Sequence, residues 1–323
     1  MNEEMKNQTE QLPLLKVHMM GSFFLEYGDQ PISFRKTMAT KSMRLLQIFL
    51  YNKDNGISRG RLLESTYGRE DVADAANSLR VGVHRLKRSL VEAGLPQFEY
   101  IYTQKGVYHW TSPMPVEVDA IDIKNKILEA GKETDEKARM DQMIEALELY
   151  TGEFLADFGE EEWVQAERAQ LKKVYSDALK EVSEYLLKNE EFDELQKLTS
   201  VASELYPFDE WQAVQMQALI GLERYKEAMK LYEQTSKHYF EELGVTPSEK
   251  LVEQYRYLGS RMGSRHRVIE EVQADLQESP GEKGGAFFCS LAGFRDCYRL
   301  VYRMSELNGQ MPWLMLCTIT DGK

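Results

Sequence analysis

The segment richest in chemistry is a row of cations and amides from Ala75 to Gly94, AANSLRVGVHRLKRSLVEAG. On a wheel of roughly 100° per residue, Leu79, Val83, Leu86 and Leu90 form one apolar stripe. Asn77, Val81, His84, Arg85 and Arg88 fall on the opposite side, flanked by Arg80 and Lys87. No acid interrupts the row before Glu92. Like charges three and four residues apart repel on a helix, and an anionic partner offsets that repulsion. Duplex DNA offers phosphates for the cations and base edges that asparagine and arginine can read. Taken alone, the same row also fits a solvated surface helix, so the neighbouring elements must decide.

Other chemistries find little footing. The five histidines, His18, His84, His109, His238 and His266, never pair at metal-ligand spacing. Cys289, Cys297 and Cys317 are odd in number and contain no C-x-x-C, which argues against a disulfide scaffold or structural zinc; Cys289 and Cys297 read as small buried residues. There is no phosphate-binding glycine loop and no nucleophile elbow. No catalytic residue, cofactor or metal is therefore expected. Asp119, Asp122 and the run Glu160-Glu161-Glu162 fall at helix starts, where they read as caps and surface charge.

Charge is distributed unevenly over the 323 residues, whose net charge is −13. From Lys16 to Ser112 there are 14 basic and 9 acidic residues, a net of +5; the rest holds 26 and 44, a net of −18. One end of the chain is thus suited to an anionic partner and the body to something else. The polar first fifteen residues lack a signal-peptide pattern, and no apolar run approaches the roughly 18–20 residues of a membrane span. A cytoplasmic protein with no membrane partner is expected.

The elements around the basic helix give it context. Residues 1–14 read as a disordered tail. The runs LKVHMMGSFFLEY and PISF read as strands separated by the turn Gly28-Asp29-Gln30-Pro31. Helices are expected near 39–52, with Met43, Leu46, Phe49 and Leu50 inward; 58–67, opened by Ser58; and 74–93, ended by Gly94. A hairpin then pairs Glu99–Thr103 with Val107–Trp110 around Gln104-Lys105-Gly106, followed by a linker at 111–115. From 116 to 258 the period is helical, with helices near 120–131, 135–151, 160–189, 191–205, 209–222, 224–243 and 247–258. KNEEFDELQKL (188–198) aligns with GLERYKEAMKL (221–231), an offset near the period of about 34 that marks tetratricopeptide (TPR) pairs. Trp163, Trp211, Tyr206, Tyr225 and Tyr232 fit packing between such helices, or a groove for a peptide or small effector. Residues 259–285 read as a linker and 286–323 as a partial β–α–β unit, cut in mid-domain.

Strands, three helices and a hairpin in that order make residues 15–112 resemble the OmpR/PhoB-type winged helix-turn-helix. AANSLRVGVHRLKRSL and IYTQKGVYHW are similar to the recognition helix and wing of SARP-type regulators. EVDAIDI, EALELYTGEFLADF, EEWVQAERAQLKKVYSDAL and the stretch from YPFDEWQ to PSEKL resemble the bacterial transcriptional activator domain that follows the winged helix in those proteins. The expected fold class is mainly α and multidomain: a winged helix, a TPR-like helical domain at 116–258 and the partial β–α–β unit. The C-terminal segment is similar, in architecture alone, to the start of a ferredoxin-like nucleotide-cyclase or GGDEF-type domain. With only about 15 residues ahead of the first strand, no receiver domain is expected, and so no control by aspartyl phosphorylation.

The resemblance implies a sequence-specific DNA-binding transcriptional activator acting on repeated promoter half-sites. The helical domain would mediate self-association, contact RNA polymerase or respond to a small-molecule or protein effector. Asn77, Arg80, Val81, His84 and Arg85 are the candidate base readers. Lys41, Arg44, Arg59, Arg61, Lys87, Arg88 and, on the wing, Thr103, Lys105 and Tyr108 are the candidate backbone contacts. Two alternatives stand beside this reading: a TPR-type interaction scaffold, which would show no salt-dependent DNA binding, and a nucleotide-signalling protein whose output lies in the truncated C-terminal domain.

Overall fold

The period-two alternation of Leu15 and Val17 buries both side chains in β1 (Leu15–His18), which pairs antiparallel with β2 (Phe24–Tyr27). Gly28 and Asp29, both at positive φ, form the two-residue turn into β3 (Gln30–Pro31). The computed structural model describes residues 12–34, 40–67, 74–158, 161–263 and 297–303. The fold class is as expected, mostly helical, with a winged-helix-like region ahead of a helical body. The chain divides into two compact units, Met1–Asn189 and Glu190–Lys323.

In the first unit, α1 (Thr40–Tyr51), α2 (Arg59–Tyr67) and α3 (Ala75–Glu92) lie within a residue or so of the expected helices. Asp74 caps α3 by accepting the Asn77 amide at 2.9 Å, and Gly94 takes the positive φ that ends it. Leu79, Val83, Leu86 and Leu90 are its buried residues, as the wheel required. A Cβ on Gly82 would lie 3.0 Å from Leu45 Cδ1, so this glycine lets α3 close on α1. The hairpin is β5 (Ile101–Gln104) with β6 (Val107–Trp110), and β4 (Ile57–Ser58) adds on the β6 side. Lys105 and Gly106 alone form its tip, both at positive φ.

Two features of this unit go beyond what the sequence led one to expect. The stretch from 116 does not begin as helix. Val116–Val118 is a strand, β7, running parallel to β1 with Leu15 opposite Val116. Three residues are too few to show a period, and the partner strand is remote in sequence. Secondly, residues 111–115 form no helix or strand, as a linker would, yet the helices that follow are grouped with the winged helix. α4 (Asp119–Ala130), α5 (Glu136–Glu148) and α6 (Glu162–Lys188) belong to the same unit, and the division falls after Asn189.

The seam within the unit is largely polar. Leu155 N donates to Met19 O at 2.7 Å, Gly21 N to Glu153 O at 2.8 Å and Ala156 N to Gly21 O at 2.9 Å. Backbones meet so closely here that a Cβ on Gly152 would lie 2.8 Å from Gly21 Cα. Asp119 is not surface charge. Its carboxylate accepts the Met19 amide at 2.8 Å and the Met20 amide at 3.0 Å, clamping the first sheet to the start of α4. Burial raises its pKa, against the pull of those amides. At the C-terminal end of α1, Tyr51 Oη donates to Glu167 Oε2 at 2.5 Å, and Lys124 Nζ bonds the Tyr51 oxygen at 2.6 Å and Glu167 at 2.7 Å. Burial and the carboxylate raise the Tyr51 pKa. Tyr51, Phe154 and Trp163 pack their rings together beside this cluster.

The second unit contains α7 (Phe192–Leu205), α8 (Trp211–Gly221), α9 (Tyr225–Leu243) and α10 (Glu249–Gly263). The internal repeat is structural: Phe192 and Tyr225, aligned by the sequence, each open a helix, and Glu190 and Glu223 before them both adopt positive φ. Met216, Leu219, Ala228, Tyr232, Leu251 and Leu258 form much of its core. α10 continues to Gly263, beyond the expected end at 258. Residues 297–303 are helical, and Cys297 is exposed there rather than buried. Most of the expected tail, linker and β–α–β unit lies outside the described residues. Among the described residues, no helix is long and apolar enough to cross a membrane.

Candidate nucleic-acid interface

Burying one stripe of α3 forces its other residues outward. Asn77, Arg80, Val81, His84, Arg85 and Arg88 are all exposed, while Lys87 is half-buried. The ion pairs sort these cations. Lys87 Nζ meets Glu99 Oε1 at 2.8 Å and Arg88 Nε meets Glu92 Oε1 at 2.7 Å. The Lys87 hydrogen bond also holds the Glu99 carboxyl below its ordinary pKa. Among the described residues Arg80 and Arg85 make no ion pair, so their charge faces solvent. Exposed pairs such as the first two contribute little, and a phosphate can displace them.

The wing brings in a second group. Arg59 N donates to Gly106 O at 3.0 Å, so the first residue of α2 sits directly against the wing tip. Arg59, Arg61 and Lys105 are exposed. The sequence placed these cations on separate elements, and nothing in their spacing marked the join. Ile101, Thr103, Tyr108 and Trp110 share one face of the hairpin by strand alternation. Ile101 and Trp110 are buried, and the Tyr108 ring lies 6.1 Å from that of Phe49 on α1. Tyr108 therefore packs inward, whereas Thr103 near the tip stays exposed. The opposite face carries Tyr102 stacked on His109 at 5.1 Å, a pair the sequence reading did not single out.

Two further cations have partners within the unit. Arg44 is ion-paired with Glu161, a mostly buried carboxylate that also accepts the Trp163 indole N–H at 3.0 Å. That places Arg44 in the seam and not at an open face, and it removes Glu161 from the set of surface charges. Lys41 Nζ lies 4.9 Å above the Tyr67 ring.

Residues 35–107 match the family model described as "Transcriptional regulatory protein, C terminal", and residues 122–258 match the "Bacterial transcriptional activator domain". Together the two matches support a SARP-type regulator. Both matched families are those of DNA-binding transcription regulators, and the first is the OmpR/PhoB-type winged helix. A solved structure of Mycobacterium tuberculosis EmbR, in complex with a low-affinity phosphopeptide, matches it with 15% identity and a TM-score of 0.50. The match covers 79% of this chain and 66% of EmbR, and it supports the shared fold alone. No curated protein matches the chain. The activator-domain match at 122–258 straddles the division after Asn189.

Proposed function

We propose that this regulator is a sequence-specific transcriptional activator that places α3 in the major groove of promoter DNA. Asn77, Arg80, Val81, His84 and Arg85 read base edges, being on the N-terminal and central turns that a recognition helix presents. Lys87 and Arg88 exchange their surface carboxylates for phosphates. Arg59, Arg61 and Lys105 form one phosphate clamp with Thr103 beside it, and Lys41 is a further candidate. Arg44 and Tyr108 are left out because both are engaged inside the unit. The carrying observation is the open basic face of α3, where Arg80 and Arg85 lack acidic partners among the described residues.

The remaining helices serve self-association on repeated half-sites, polymerase contact or effector response in the cytoplasm. Acidic overall, they are unsuited to DNA themselves. Bound sites selected from genomic DNA would test the reading. Arg85→Ala should cost about 1–3 kcal/mol on the selected site and blur its sequence, while Lys105→Ala should weaken all sequences and reduce the salt slope by about one. Equal losses on selected and random DNA for Arg85→Ala would reject base reading by that residue.

A further inference from the structure

Val81 is the apolar member of the outward face of α3. It is 40% exposed, and the residues one turn away on the same face are Asn77, His84 and Arg85. It contributes little to the core, which α3 reaches through Leu79, Val83, Leu86 and Leu90. It does not favour the helix either, since a β-branched side chain is a weaker helix former than the Lys or Arg common on such faces. Its shape is informative. Valine is short and nearly locked in one rotamer in a helix, so it presents two methyl groups close to the helix backbone and offers no hydrogen bond. In the major groove, the apolar feature of a base edge is the 5-methyl group of a pyrimidine.

We infer that Val81 docks on the 5-methyl group of a thymine, between the bases contacted by Asn77 and Arg85 one turn to either side. This rests on α3 being the base-reading helix. The same methyl chemistry exists on 5-methylcytosine, so the test must separate the two.

The full chain is used with a duplex selected from a random-sequence library. Each thymine is replaced in turn by deoxyuridine, which removes only the methyl group. At one thymine per half-site, affinity should fall about fourfold, the equivalent of one unburied methyl. Val81→Ala, an exposed change that leaves the core intact, should bind thymine and deoxyuridine duplexes alike. Val81→Ile should restore the difference. If every deoxyuridine is neutral, or if the loss persists in Val81→Ala, the inference is overturned. Tighter binding only on cytosine methylation would overturn the thymine assignment in favour of the other source. Failure to enrich any sequence would instead reject α3 as the base reader, and the inference with it.

Discussion

The two units hold their helices together by different means. Within residues 12–189 the winged helix meets the following helices through backbone hydrogen bonds, the Asp119 clamp and the Tyr51–Lys124–Glu167 cluster. Within residues 190–263 the helices meet through repeated apolar contacts, with Gly221 under the Phe192 ring and Tyr232 stacked on Tyr255 at 4.0 Å. Directional polar contacts hold one geometry and leave costly unpaired groups when broken. Stacked apolar repeats distribute their stability over neighbouring pairs. The proposed DNA-reading helix thus lies in the part whose geometry is held directionally, and the winged helix shares its compact unit with the helices after it.

The sharpest way to break that contrast is truncation. A chain ending near Ser112 loses β7, Asp119 and the partners of Met19, Met20 and Gly21. It should unfold at lower urea than a chain ending at Asn189 by several kcal/mol, the sum of a strand pair and several buried hydrogen bonds. Equal stability of the two fragments would dissolve the fused unit. Next in size is Asp119→Ala, which leaves the Met19 and Met20 amides unpaired; a loss of about 3 kcal/mol is expected. Hydrogen exchange should speed up at those two amides and across β1.

In the repeat unit the corresponding probe is Gly221→Val. A Cβ at Gly221 would lie 2.5–2.6 Å from Phe192 ring atoms. Overpacking of about 2 kcal/mol should raise exchange throughout α7 and α8 and leave β1 protected. Raised exchange in β1 as well would mean that the two modes of packing are not separable.

The smallest effect is a gain. Burial first, and then Glu117, raise the Asp122 pKa to about 6, with Lys53 opposing. An acid with a raised folded-state pKa holds its proton more tightly in the folded chain, so stability falls as pH rises from about 4 to 6. Asp122→Asn should add on the order of 1 kcal/mol at pH 7, after allowance for solvent screening of a half-exposed group, and nothing below pH 4. Urea unfolding at both pH values would show it, and an equal gain at both would rule out the charge as the cause.

Much of this architecture was legible because it is periodic. The buried stripe of α3, the wing and the offset of the helical repeat all follow from local spacing. What escaped the sequence is long-range and polar. β7 is three residues long, and its partner lies near the N-terminus. Leu45 to Leu50 are buried all round α1, including Gln47, because the seam covers the side that a one-face reading leaves to solvent. Asp119 and Glu161 carry ordinary helix-start signatures, and nothing local shows that their carboxylates face inward. At the interface, residue types identified the α3 face, but only the fold joined Arg59 to the wing tip and turned Tyr108 toward Phe49.

The Asp119 clamp also sets a schedule for synthesis. Met19 and Asp119 are 100 residues apart, and Met20 bonds Thr151 across 131. At translation rates of roughly 5–20 residues per second, β1 and β2 emerge from the ribosome about 5–20 s before Asp119 can reach them. For that interval the β1 edge of the nascent hairpin, which β7 later covers, stays unpaired. A pause placed between codons 30 and 116 would lengthen that exposure, and one placed after codon 160 would not.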